Sequence, residues 1–280
     1  MASKFVAFLV GLSAVFISYN LYTSPKSALV IMSGSEMAAF ESPEVLKYVE
    51  RMQTAATQER PALASDRGRW AMAWLHLVIW NSWKSAYFYA DKYPEDDFQA
   101  YSEYALLAAS FLAGHHDAEE TALFPVLETK IPGSMEQNEA QHQSFLKPLE
   151  EIIEYIQSTQ TSAVKFDAAT YRSKVDAILA PIMEHLSDEL DSLEGPKLLE
   201  HFSEAELAVI NKGVHKAQGG DNHKMLPFIL RNLPPGCSFP PAPGFVKTLL
   251  GPWVFYWKYS PLWKYTTYPM KPVLPTSPPK

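Results

Sequence analysis

The chain has a single cysteine, Cys237, among 280 residues. No intramolecular disulfide can form, and a metal site built from several thiolates is excluded. Basic residues are also in short supply: 24 Lys and Arg stand against 31 Asp and Glu, a net charge of −7, and they form no basic block. Nucleic acid is therefore disfavoured as a partner, because neutralising a phosphate backbone takes a cationic patch. No Asn-x-Ser/Thr sequon occurs, so glycosylation lends no support to a lumenal fate. There is no internal repeat, and no low-complexity segment apart from a proline bias near the end of the chain. Between residues 67 and 92 there is no proline, and the only glycine is Gly68.

What is present is a hydrophobic content of 47%, enough for a sizeable core. The length fits one large domain or two small ones. Lys4 precedes an apolar run from Phe5 to Ile17, extended weakly to Leu21. The strict run has signal-peptide length and the extended run approaches a short membrane span. No small-x-small cleavage site follows before Pro25, so residues 1–24 are read as a hydrophobic anchor giving membrane association, with a cleaved signal and a secreted protein as the alternative. Residues 25–64 read as a linker with a short helix, opened by Ser42-Pro43-Glu44 and running to about Thr57.

Four long stretches then carry helical periodicity. In the first, residues 67–92, Met72, Leu75, His76, Ile79, Trp80 and Trp83 follow the spacing of a buried stripe. In the second, about 97–128, Leu107, Phe111, Leu112, His115, Glu119, Leu123 and Leu127 share one side. The third is expected to open with a capping box at Ser134 and Gln137, and carries His142, Phe145, Leu146, Leu149, Ile152, Ile153 and Ile156, with a disturbance at Pro148. The fourth, about 168–193, turns Tyr171, Val175, Ile178, Ile182, His185 and Glu189 inward, with a bend beside Pro181. Long helices joined by short loops predict an all-α, up-down-up-down four-helix bundle over residues 65–195. Residues 196–280 form an extension: a helix capped by Ser203 and Glu206 and running to about Gln218, then a stretch holding 13 of the 22 prolines. Its aromatics, including Trp257 and Trp263, suit either wrapping the bundle or lying at a membrane surface. The expectation is thus a bundle with an N-terminal hydrophobic helix and an irregular C-terminal extension.

Each helix of the bundle has one histidine on its apolar stripe: His76, His115, His142 and His185. His115 and Glu119 are four apart, as are His116 and Glu120, and His185 and Glu189, so each pair lies one turn apart on one face. A lone histidine on such a face usually finds an ordinary hydrogen-bond partner, and one His-x3-Glu pair occurs by chance. Inward-facing glutamates are harder to explain, since an unpaired buried carboxylate is costly. A bound metal supplies the missing positive charge. Imidazole and carboxylate donors suit zinc, manganese or iron. His201, His215 and His223 lie outside the bundle and read as surface or packing residues.

These stretches resemble the hemerythrin-like, or HHE cation-binding, family over about residues 67–193. The resemblance rests on His76 in Trp74-Leu75-His76, on His115-His116-Asp117-Ala118-Glu119-Glu120 followed by Leu123-Phe124-Pro125, on Gln141-His142-Gln143-Ser144-Phe145, and on His185-Leu186-Ser187-Asp188-Glu189. It implies a non-haem di-iron centre, with zinc or manganese less favoured. His76 and His115 would bind one iron, His142 and His185 the other, and Glu119 and Glu189 would bridge them. His116 would lie beside the site or face solvent, and Asp188 and Glu120 would not ligate. Oxygen-carrying members have a second histidine four residues after the first on the third helix, where this chain has Leu146. One iron would then lack a protein ligand, which speaks against reversible oxygen carriage and leaves a position for another small molecule. The extension is similar to those of fungal members. The implied function is reaction with, or sensing of, O2 or a related small molecule. The alternatives are a di-iron oxidase or oxygenase acting on a hydrophobic organic substrate, and a non-catalytic metal-binding or storage bundle.

Overall fold

The computed structural model describes residues 32, 34–247 and 254–269, and every regular element among them is helical. The N-terminal hydrophobic segment and Pro252-Trp253 lie outside the described residues. Among the described residues no helix is long and apolar enough to cross a membrane.

The first α-helix, α1 (Pro43–Ala55), starts where Ser42 accepts a hydrogen bond from the Val45 backbone and Pro43 supplies the fixed φ of a first turn. The bundle follows as α2 (Ala64–Tyr89), α3 (Phe98–Ala118), α5 (Glu136–Gln160) and α6 (Ala168–Ser192). Each packs against the next, and α6 closes the ring on α2. Short connections make neighbours run antiparallel. The start of α2, the end of α3, the start of α5 and the end of α6 therefore share one end of the bundle. Helix α1 lies across α2 and α6, and Arg51 pairs there with Asp188 and Asp191.

The second stretch is not one continuous α-helix. After α3 the backbone widens into a π-helical segment, Glu119–Leu123, before α4 (Phe124–Glu128). Pro125 explains this. It has no N–H to give, and its ring would clash with the carbonyl four residues back. The Phe124 N–H instead reaches the Glu119 carbonyl, five residues back. The expected capping box at Ser134 and Gln137 does not form. Helix α5 begins at Glu136 with Met135 as its cap, and the Glu128 carboxylate accepts the Gly133 and Met135 N–H groups instead. An acceptor from the preceding helix thus does the work a local side chain was expected to do.

The extension wraps the bundle. Helices α7 (Gly195–Leu199) and α8 (Glu204–Ala217) pack on α2, and α8 also covers the π-helical segment. The capping box of Ser203 and Glu206 is present. Beyond α9 (Asn222–Arg231), a 3-10 stretch (Trp257–Tyr265) lies along α3, with Trp263 and Tyr265 fully buried. Asn232 ties these parts together: Tyr104 and Thr267 donate to its side-chain oxygen, and the Asn81 amide donates to its carbonyl.

Candidate metal centre

All six expected ligands are buried, and they converge inside the bundle. His76 comes from α2, His115 from the last turn of α3, Glu119 from the π-helical segment, His142 from α5, and His185 and Glu189 from α6. They form two groups. In the first, the ligand atoms of His76, His115, Glu119 and Glu189 lie within 4.8 Å of one another; in the second, those of His116, Glu119, His142 and His185 do. Glu119 belongs to both. Its Oε1 is 2.8 Å from His115 Nε2, and its Oε2 is 3.6 Å from His142 Nε2. Glu189 joins only the first group, 3.3 Å from His76 Nε2, rather than standing between both as expected.

His116 is placed differently from the expectation. It is buried, its ring centre lies 4.2 Å from that of His142 and 5.1 Å from that of His185, and neither ring nitrogen finds a hydrogen-bond partner among the described residues. The sequence signal was available: His116 and Glu120 have the same spacing as His115 and Glu119. Spacing alone could not show that both neighbours point inward, because successive residues on a regular helix are about 100° apart. Leu146 is only half-buried and lies outside the core, so it does not face the interior as expected. Within the second group a third imidazole comes from α3 instead of from α5.

The outer ring nitrogens are held from behind. Glu120, on the partly exposed side of the site, has a carboxylate oxygen 2.9 Å from His142 Nδ1. The Gln141 side-chain oxygen is 3.2 Å from His185 Nδ1, and the Gln218 amide, from just beyond α8, is 3.2 Å from His115 Nδ1. Asp188 faces Arg51 and takes no part in either group. His201, His215 and His223 are exposed.

Electrostatics make the site expensive without a cation. Burial, followed by the Glu189 carboxylate beside it, raises the Glu119 carboxyl well above its ordinary value; burial also raises Glu189. Burial holds His76, His116 and His185 well below the ordinary imidazole value, lowers His142, and brings His115 to about 4. Five imidazoles are thus kept neutral, and none of the four carboxylate oxygens of Glu119 and Glu189 has a hydrogen-bond donor among the described residues. Neutral imidazoles beside buried carboxylates are the donor set a divalent or trivalent cation needs.

The spacing fits as well. Two nitrogens held about 2.1 Å from one ion lie roughly 3.0–3.4 Å apart at coordination angles of about 90–109°. The Nε2 atoms of His76 and His115 are 3.1 Å apart, and those of His142 and His185 are 2.9 Å apart.

Comparison with known proteins agrees with this geometry. The family described as Hemerythrin HHE cation binding domain matches residues 89–194. His76 lies before that stretch, so its place beside the other ligands rests on the fold. A protein described as Dimeric xanthone biosynthesis cluster protein R11, from Cryptosporiopsis sp. (strain 8999), is 31% identical over 166 residues, covering 56% of this chain and 61% of that protein. The similarity thus spans less than two thirds of that relative's length. No solved structure matches the chain significantly. Residues 89–194 of the helical bundle thus match the hemerythrin HHE cation-binding domain, and the buried His and Glu groups could hold a metal ion.

Proposed function

We propose that this domain holds a di-iron centre that reacts with O2 or a related small molecule. The observation that carries the reading is the sharing of Glu119 between two four-residue groups only a few ångströms across. His76, His115 and Glu189 would hold one ion, His116, His142 and His185 the other, and Glu119 would bridge. Bound iron supplies Lewis acidity and one-electron redox chemistry.

The protein's own part is to fix tautomers and exclude water. The Glu120 carboxylate accepts the Nδ1–H of His142, and Gln141 accepts that of His185, which leaves both Nε2 atoms free to ligate. The Gln218 amide can do the same for His115 with its oxygen turned inward, since an amide's oxygen and nitrogen exchange by a half-turn. The test is oxygen uptake. Reduced, iron-loaded protein mixed with air should consume oxygen and change its absorption, and the His115→Ala variant should not. Loaded wild type that leaves oxygen untouched would overturn the reaction.

A second reading, an oxidase or oxygenase acting on a hydrophobic organic substrate, is favoured by a mostly apolar cavity of about 300 Å³ lined by residues one helical turn from His76, Glu119 and Glu189. The relative's printed role in a biosynthesis cluster supports the same direction. Substrate-dependent oxygen consumption separates it from the first. A non-catalytic metal store would show neither behaviour. Attachment to a membrane through residues 1–24 is proposed on the apolar run alone; fractionation of the full chain and of a chain lacking those residues tests it, and equal membrane binding by both would contradict it.

A further inference from the structure

At the end of the bundle nearest the metal groups, α8 does not seal the helices completely. A cavity of about 300 Å³ lies between the start of α2, the π-helical segment and α4, the end of α6, and α8. Its inner wall stands one helical turn from the ligands. Met72 is four residues before His76, Leu123 four after Glu119, and Leu193 four after Glu189, and all three line it. One turn is about 5.4 Å. Gln218, whose amide contacts His115, also lines the cavity. The chamber therefore lies close to the His115 side of the centre, with Gln218 between them.

The wall is mostly apolar, but its charged residues share one sign. Arg60, Arg67 and Lys212 line it, and no Asp or Glu does, in a chain whose net charge is −7. Arg67 donates to the Pro61 and Ala62 carbonyls, and its charge is partly answered by Glu204, whose carboxylate is itself committed to Ala64 and Ser65. Arg60 and Lys212 are exposed, and their side chains have no ion pair or hydrogen bond among the described residues. The volume lies at the low end of small-molecule sites, about 300–1,000 Å³.

We propose that this chamber binds a small hydrophobic acid: a flat apolar body of about naphthalene size, with a carboxylate or acidic phenol held by Arg60 and Lys212. The apolar body lies against Met72, Leu75 and Leu123, one turn from the metal ligands, and the acidic group faces the cationic mouth. Binding stands on the cavity itself; only the meaning of its position, as the organic ligand of a metal centre, rests on the proposed function.

The probe is 1-naphthoate, with neutral 1-naphthamide as its isostere, titrated calorimetrically into the full chain whose iron content is measured in the same samples. Naphthoate should bind at least tenfold more tightly than the amide. Arg60→Gln with Lys212→Gln, both exposed, should abolish that difference and leave binding of the amide unchanged. Ala71→Phe, which fills the chamber from α2, should remove binding of both probes while iron content and helical circular dichroism stay unchanged. If that variant misfolds, the charge-pair variant decides. Iron-loaded chain that binds neither probe, or that binds both equally, overturns the chamber proposal and leaves the metal reading standing. Naphthoate bound by a chain that takes up no iron overturns the metal reading and leaves the chamber.

Discussion

Glu119 is costly to keep charged without a cation. It is fully buried, lies against Glu189, and has no hydrogen-bond donor among the described residues. Replacing it by Gln should remove both ions, because both groups use it, and should make the metal-free protein melt higher than metal-free wild type at neutral pH. His116→Leu should remove one ion and spare the other, since His116 belongs to one group only; metal analysis of the two variants checks both outcomes, and full occupancy in His116→Leu would return that residue to a packing role. The pH dependence follows from signs. The imidazoles have folded values below their ordinary 6.5, so below that pH the unfolded chain takes up protons the metal-free fold refuses, and stability is lost as pH falls. The two carboxyls have folded values above their ordinary 4.5, so the metal-free fold gives up stability as pH rises through that range. Chelated protein should therefore lose stability on both sides, whereas loaded protein should vary little; melting temperatures from about pH 5 to pH 8, with and without chelator, decide, and superimposable profiles would contradict the account.

At the scale of elements, the π-helical segment begins at Glu119, directly after the α-helical turn that carries His115 and His116, and all three are buried in the same interior. Such widened turns are frequent at functional sites. Pro125→Ala restores the missing donor and removes the clash, so the segment should tighten into α-helix and rotate Glu119 relative to the histidines. The expected result is unchanged helical content with metal affinity weaker by about 10–100-fold, the range seen when the supports of ligands are disturbed. Affinity equal to wild type would mean that the widening does not aim the ligands. The four long helices, their inward histidines and the Ser203 and Glu206 cap were legible because they depend on spacing and local capping. The widened turn was written in Pro125, yet about 97–128 reads as one continuous helix when only the period is counted, because that assumes one pitch throughout. The start of α5 was misplaced because its cap, Glu128, comes from another helix and not from the local sequence.

For the molecule as a whole, the extension does more than trail from the bundle. Helix α8 covers the end nearest the metal groups, Gln218 reaches His115, and the 3-10 stretch buries Trp263 and Tyr265 against α3. Spacing could not reveal these contacts, because they join residues such as Gln218 and His115 that lie 103 positions apart. The fold class and the inward convergence of the six first-named residues were within reach of the sequence; the inward turn of His116 and the chamber under α8 needed three dimensions. The central claim is that one bundle holds two ions through a shared carboxylate. Its direct test is the metal content of the full chain after anaerobic reconstitution with ferrous iron, measured by mass spectrometry against protein concentration. Two irons per chain is the predicted result, from the two groups that share Glu119; none, or a single iron at saturation, would contradict it.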